Sequence, residues 1–431
     1  MKKSKFIRST IILIIGGFIT KLLGMIIKII TTNLIGTEGI GIYMLILPTY
    51  MLLISIATLG FPVAISKLVA EDKYNNKNLI FSIIPISLVI NLILILLLLF
   101  SSNFISEFLL RERRTYLGLI SIGFVLPFIS ISSIMRGYFF GKERMFPHII
   151  TCIVEEVLRL ILIIVFVPII IPNGIELTIS FLIIISIICE LSSIIIFILF
   201  IKKKKLIKKN DLKPNKNNIK NILNISLPTT GSRLIGSIGY FLEPIILTYV
   251  LSKNGYSNSF IITEYGIING YVLPLILLPS FFTLAISQAL IPVVSKYYSI
   301  KKYELAQKKI KQAIFFSLII GIPITLVLIL FPYIPLKIIY NNTLGVKYIK
   351  VLAFFGIFHY IQSPLTSSLQ AMGKSKQAMN GTIYGIIFRT IILFVFSNFK
   401  IGMWGLVSAI VFNILIVTFH QMKEVRKCFK S

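Results

Sequence analysis

Acidic residues are scarce in this 431-residue chain, where 15 Asp and Glu stand against 44 Lys and Arg. Asp72 and Asp211 are the only aspartates, and no carboxylate cluster suggests a metal site for glycosyl transfer. The three histidines, His148, His359 and His420, are scattered. Cys152, Cys189 and Cys428 are isolated, with neither metal-ligand spacing nor a disulfide framework. No P-loop or other ATPase signature occurs, so this chain does not hydrolyse ATP. The stretches between apolar runs on the outer side are too short for an extracellular catalytic domain. The sequence therefore names no catalytic residue, no metal site and no cofactor, and it reads as a non-enzyme.

What the chain has instead is apolar surface. It is 56% hydrophobic and only 14% charged, with a mean hydropathy of +0.92. Apolar runs of about 20 residues recur along its whole length, the length a helix needs to cross a bilayer. The expectation is an all-α integral membrane protein with about twelve spans, near 9–33, 41–67, 79–103, 115–139, 148–172, 176–201, 221–251, 265–295, 312–333, 348–371, 378–398 and 401–422. Prolines inside them (Pro48, Pro62, Pro127, Pro228, Pro244, Pro274, Pro279, Pro292 and Pro364) supply kinks and freed carbonyls. The N-terminal M-K-K-S-K-F-I-R and its apolar sequel mimic a signal peptide. Lys21 interrupts the run and no small-residue cleavage site follows, so the segment reads as a retained first helix.

The net charge of +29 would suggest nucleic acid in a soluble protein. Its distribution argues otherwise. With the N-terminus in the cytoplasm, inward segments hold 31 of the 44 basic residues, outward loops hold eight, and five lie inside spans. That asymmetry is a positive-inside signal placing both termini in the cytoplasm. Most of the charge is accounted for by topology and contact with membrane lipids, with no call for nucleic acid.

The longest polar stretch, K-K-K-K-L-I-K-K-N-D-L-K-P-N-K-N-N from Lys202 to Asn218, divides the spans six and six. The expected organisation is an N-terminal six-helix bundle at 1–201, a basic cytoplasmic linker at 202–220 and a C-terminal bundle at 221–431. The linker reads either as a joint about which two bundles rock or as an inert loop on anionic lipid. An internal repeat supports the division. G-F-P-V-A-I-S-K at Gly60–Lys67 matches A-L-I-P-V-V-S-K at Ala289–Lys296, and Gly141-Lys142 after the fourth span matches Gly373-Lys374 after the tenth. Six being even, the repeat is parallel, with any substrate site near the midplane between the halves.

Charges within spans are the informative set, since burying charge in a bilayer costs several kcal/mol unless it finds a partner or water. There are five cations, Lys21, Lys28, Arg159, Arg233 and Arg389, and four acids, Glu155, Glu156, Glu190 and Glu243. Lys21 and Lys28 are two helical turns apart on one face, separated by about 10 Å. Lys28 could snorkel to the headgroups. Lys21 is too deep for that, so the expectation is a polar face turned to an internal cavity. Glu155 and Arg159 are i,i+4 neighbours able to pair, as a cavity wall or relay or as a self-neutralised structural pair. Arg233 and Glu243 are too far apart along one helix to meet, and each needs a partner elsewhere or water. Arg389 and Glu190 read as lone charges, the latter as a packing residue. His359, Tyr360 and Gln362 could contact sugars or serve as helix–helix glue. A cation-rich interior suits a ligand with anionic groups, and arginine forks suit phosphate.

The pattern K-L-L-G…L-I-G-T-E-G-I-G-I-Y…L-P-T-Y…G-F-P-V-A-I-S-K-L-V-A-E, together with R-G-Y-F-F-G…M-F-P…E-E-V-L-R, resembles the stage V sporulation protein B family. That family is a branch of the oligosaccharide flippases in the MOP exporter superfamily, alongside the lipid II flippases and MATE drug antiporters. The resemblance runs from about residue 8 to residue 420. It implies two six-helix bundles in a V, alternating access, and export of a polyprenyl-pyrophosphate-linked saccharide across a bacterial cytoplasmic membrane. A peptidoglycan precursor for spore cortex or cell wall is the implied cargo. By motif position Lys21, Lys28 and Arg233 inherit the headgroup-binding role, with Glu243, Arg159, Glu155 and Arg389 as further candidates for the central cavity. A coupling ion is left unidentified. The alternatives are a cation-coupled small-molecule antiporter on the same fold, with Glu243 its first ion ligand, a membrane glycosyltransferase, and a non-transporting scaffold for envelope assembly.

Overall fold

The computed structural model describes residues 2–71, 75–201 and 214–429. Most of the expected basic linker, 202–213, lies outside the described residues. Among them every regular element is helical. This is what hydrocarbon demands, because a helix satisfies its own backbone hydrogen bonds where no water can.

Nine helical segments among the described residues are long and apolar enough to cross a membrane. The first, Ile15–Ala70, has 56 residues. At 1.5 Å per residue that is about 84 Å, against an apolar core of about 30 Å. It is broken twice. Helix α1 (Lys2–Thr58) kinks at Gly36, whose φ of 70° and ψ of −174° only glycine adopts readily. It ends at Leu59 and Gly60, both with positive φ, before α2 (Phe61–Ala70). The break expected between the spans at 9–33 and 41–67 is therefore a single-residue kink, with helix resuming directly after it.

Contacts group the chain into two compact units, Met1–Ile35 with Leu45–Phe241 and Gly36–Met44 with Leu242–Ser431. In the first, α4 (Tyr116–Gly141) packs against α2, α3 (Asn76–Phe104) and α6 (Ile175–Phe200), and α5 (Met145–Ile170) packs on α6. Phe61, Leu68, Val69, Leu79, Ile134 and Ile222 form one core cluster. The R-G-Y-F-F-G motif earns its glycines here. A Cβ on Gly137 would lie 2.7 Å from the Pro62 carbonyl oxygen, and one on Gly141 2.6 Å from that of Ser66. Two glycines four apart let α2 press onto α4 backbone to backbone.

The second unit begins within α7 (Lys216–Lys253) and continues through α8 (Asn258–Gly266). The span expected at 265–295 is instead two pieces. A π-turn and the short α9 (Leu273–Ile276) follow α8, the helix breaks at Leu277–Pro279, and α10 (Ser280–Ser299) starts afresh. Pro279 has no N–H to continue the ladder. Then come α11 (Tyr303–Leu330), α12 (Tyr333–Tyr340), α13 (Val346–Ala371), α14 (Ser375–Ser397) and α15 (Trp404–Lys427). α13 is the hub of this unit, packed by α10, α11 and α15, while α14 lies on α15.

Candidate functional site

α5 is membrane-length, yet Glu155, Glu156 and Arg159 fall within every 18-residue stretch of it, which keeps it out of the nine apolar segments. Those charges are organised. Arg159 Nη2 lies 3.3 Å from Glu155 Oε1, the expected i,i+4 pair, and its Nε is 4.0 Å from Glu156 Oε2. Nη1 of Arg159 donates to Ser186 Oγ at 3.4 Å, and Ser193 Oγ donates to Glu155 Oε2 at 3.3 Å, so α6 closes the group with two hydroxyls. Glu190 on α6 accepts a hydrogen bond from Ser132 of α4. Its carboxyl is buried in the α4–α6 contact. Arg136 lies in the last turns of α4, within electrostatic reach of Glu190.

The cations divide differently. Lys21 and Lys28 lie on the limb of α1 before Gly36, and the uninterrupted helix there keeps them on one face. Lys21 is exposed and its charge reaches Glu156. Lys28 is half-buried and exposed Arg233 lies on α7; among the described residues neither makes an ion pair or a hydrogen bond. Arg233 falls on the stripe of α7 that carries Ser226, Thr230 and Ser237. Ser237 Oγ is 3.0 Å from Ser55 Oγ of α1, and Gly60 is pressed by Ser226, Thr229 and Thr230.

In the second unit Glu243 and Arg389 form an ion pair through Oε2 and Nη2, with side chains 6% and 13% exposed. Tyr265 donates its hydroxyl to the other carboxylate oxygen, Oε1, at 3.2 Å. Arg389 is thus no lone charge, and Glu243 has found its partner on α14. Sequence reading missed Tyr265, which has no local signal: its role depends on α8 meeting α7. Of the seven candidates, Lys21, Lys28, Glu155, Arg159 and Arg233 fall in the first unit and Glu243 and Arg389 in the second.

The polar residues of α13 are occupied with helix contacts. Tyr360 donates to the Ile276 carbonyl at 2.7 Å, and Gln362 Nε2 donates to the Ile414 carbonyl and to Thr418 Oγ1, both at 2.9 Å. His359 lies one turn before Gln362 on the same helix.

The elbows after α4 and α13 have one geometry. Arg144 N donates to Phe139 O and Glu143 N to Phe140 O; Lys374 N donates to Leu369 O and Gly373 N to Gln370 O. Both are Schellman closures, with the positive φ at Glu143 (54°) and Gly373 (75°). The repeat register is therefore two residues away from the Gly-Lys match, because backbone geometry pairs Glu143 with Gly373. In this register 230 positions separate Tyr116 from Val346, Gly141 from Ala371 and Met145 from Ser375, the ends and starts of corresponding helices. The same interval separates Arg159 from Arg389, with Ile161, Val165 and Phe166 repeated as Ile391, Val395 and Phe396.

Comparison with known proteins agrees with this architecture. The inward-facing conformation of a multidrug resistance MATE family transporter of the MOP superfamily superposes with a TM-score of 0.71 at 16% identity, covering 96% of each chain. "Stage V sporulation protein B" of Bacillus subtilis (strain 168) is 34% identical over 99% of this chain and 85% of its own. "Lipid II flippase MurJ" of the same organism is 29% identical over 37% of this chain and 31% of its own. Residues 269–395 match the MatE family. With residues 6–298 matching the polysaccharide biosynthesis protein family, the chain belongs to that family and is a helical multi-pass membrane protein with the fold of the MATE transporters.

Proposed function

We propose that this protein flips a polyprenyl-pyrophosphate-linked saccharide, of the lipid-linked oligosaccharide or peptidoglycan-precursor kind, across a bacterial cytoplasmic membrane by alternating access. Both termini face the cytoplasm, and the 1–201 and 221–431 bundles rock about the basic 202–220 linker. The observation that carries the reading is a mismatch of charge. Glu155, Glu156, Glu190 and Glu243, the acids expected within the spans, each have a partner, while Lys28 and Arg233 have none among the described residues. Charge in a hydrocarbon setting needs a counter-charge or water. A pyrophosphate headgroup supplies two negative phosphates, for which a lysine acts as a point charge and an arginine as a fork. Lys21, on the same face as Lys28, extends the surface. Glu155, Arg159, Glu243 and Arg389 shape the surrounding walls.

The similarity to a lipid II flippase supports the same class of cargo. The antiporter reading required Glu243 to be an open ion ligand, and its carboxylate is already held by Arg389 and Tyr265. The test is translocation of fluorescent lipid II in proteoliposomes. Lys28→Ala and Arg233→Ala should each abolish most of it while the protein stays folded. Wild-type vesicles that move drugs or ions but no lipid II would overturn the assignment.

A further inference from the structure

The site around Glu243 carries a consequence for what drives the protein, whatever its cargo. Glu243, Tyr265 and Arg389 come from α7, α8 and α14 of one unit; Glu243 and Tyr265 are buried, and the Arg389 side chain is 13% exposed. Glu243 offers two oxygens, and both are engaged, Oε2 by the Arg389 guanidinium and Oε1 by the Tyr265 hydroxyl. A buried carboxylate of this kind is where a membrane transporter can bind an exchangeable cation. Here the positive charge belongs to the chain. Arginine keeps its charge at any physiological pH, so it does not vacate the site by losing a proton.

We propose that Arg389 is a tethered cation filling an alkali-metal site, so that Glu243 binds no exchangeable ion in the native protein, and that removing the guanidinium opens the site to one monovalent cation. The stoichiometry follows from charge: one guanidinium balances one carboxylate, and a single alkali ion restores that balance, whereas a divalent ion would leave an excess. The ligands on hand are hard oxygens, two from Glu243 and one from the Tyr265 phenol, which suit an alkali ion. The repeat gives the arrangement a second support. Arg159 holds the corresponding place on α5 and finds its acid one turn back, at Glu155. At the matching position, Gly385, an added Cβ would lie 2.3 Å from Val417 Cγ2 and 2.9 Å from Asn413 Nδ2. α14 has no room for an acid there, and Arg389 takes Glu243 from α7.

The test uses the full chain purified in detergent, with thermal unfolding and radiolabelled sodium binding measured in sodium, potassium and choline chloride at equal ionic strength. Wild type should unfold at one temperature in all three salts and show no saturable sodium binding. Arg389→Met should gain saturable binding and unfold several degrees higher in sodium or potassium than in choline, as a ligand selective for the folded state requires. The gain should vanish in Glu243→Gln/Arg389→Met. If Arg389→Met fails to fold in choline, its recovery in an alkali salt is the same result read as folding. Saturable sodium binding by wild type that Glu243→Gln removes would overturn the proposal. So would an Arg389→Met protein indifferent to every salt, or unfolded in every salt beside a stable double variant.

Discussion

Arg159 and Arg389 occupy the same position in two repeated helices and solve the same problem with different partners. Arg159 pairs within its own helix, with Glu155 at 3.3 Å, and Arg389 pairs across helices with Glu243. The difference has an energetic consequence. Arg159 and Glu155 are 25% and 14% exposed, whereas Arg389 and Glu243 are deeper. Arg389→Ala and Glu243→Ala should each destabilise the protein by about 3–5 kcal/mol, because each strands a buried charge. Joint replacement by Met and Gln should restore much of the loss. Tyr265→Phe should cost about 1 kcal/mol, one hydrogen bond to a carboxylate that keeps its ion pair. Reversible denaturation in mixed micelles, with the double-mutant cycle, measures all three.

Gly60 is constrained twice. Its φ is 64°, and an added Cβ would lie 2.5 Å from Thr229 Oγ1 and 3.0 Å from the Ser226 carbonyl oxygen. Gly60→Ala should destabilise by about 2 kcal/mol or more, combining left-handed strain with the clash. Thr229→Ala added to it should recover only part, since neither the backbone strain nor the Ser226 contact is relieved. A full recovery would show that the hydroxyl contact alone sets the cost.

The two elbows predict opposite signs for a glycine exchange. Glu143 takes a positive φ at the position where the second repeat has Gly373. Glu143→Gly should stabilise by up to about 1 kcal/mol, and Gly373→Ala should destabilise by a similar amount. Lys301, with φ of 57° in a third closure of this kind, should behave as Glu143 does. Unfolding temperatures of the three variants decide it.

The glycine pair on α4 is a packing device. Gly137→Leu or Gly141→Val should drive α2 off α4 and lower the yield of monodisperse protein in size-exclusion chromatography. Ser substitutions should be milder, as the added group is smaller. Comparable yields for the large and small replacements would mean that α2 does not need this close approach.

How much of this was legible beforehand depends on the range of the interaction. The i,i+4 pair of Glu155 and Arg159 could be read from the sequence because one helix fixes it. The partner of Glu243 could not, because α7 and α14 are far apart in the chain and helix rotation decides which side chains meet. The same holds for Ser132 with Glu190. Twelve spans were expected, and the edges moved where glycine and proline acted on the backbone: at Gly36, at Leu59–Gly60 and at Leu277–Pro279.

The sequence by itself determined that this is a helical membrane protein, because long apolar runs in lipid must satisfy their own backbone hydrogen bonds. It also determined the duplicated pattern and the excess of cations over acids within the spans. Only the tertiary structure decided which of the other charges already have partners: Glu243 with Arg389, and Glu190 with the Ser132 hydroxyl. Electrostatic pairing in a low-dielectric interior depends on a few ångströms of separation, and that distance is set by packing between helices, which residue order does not encode locally.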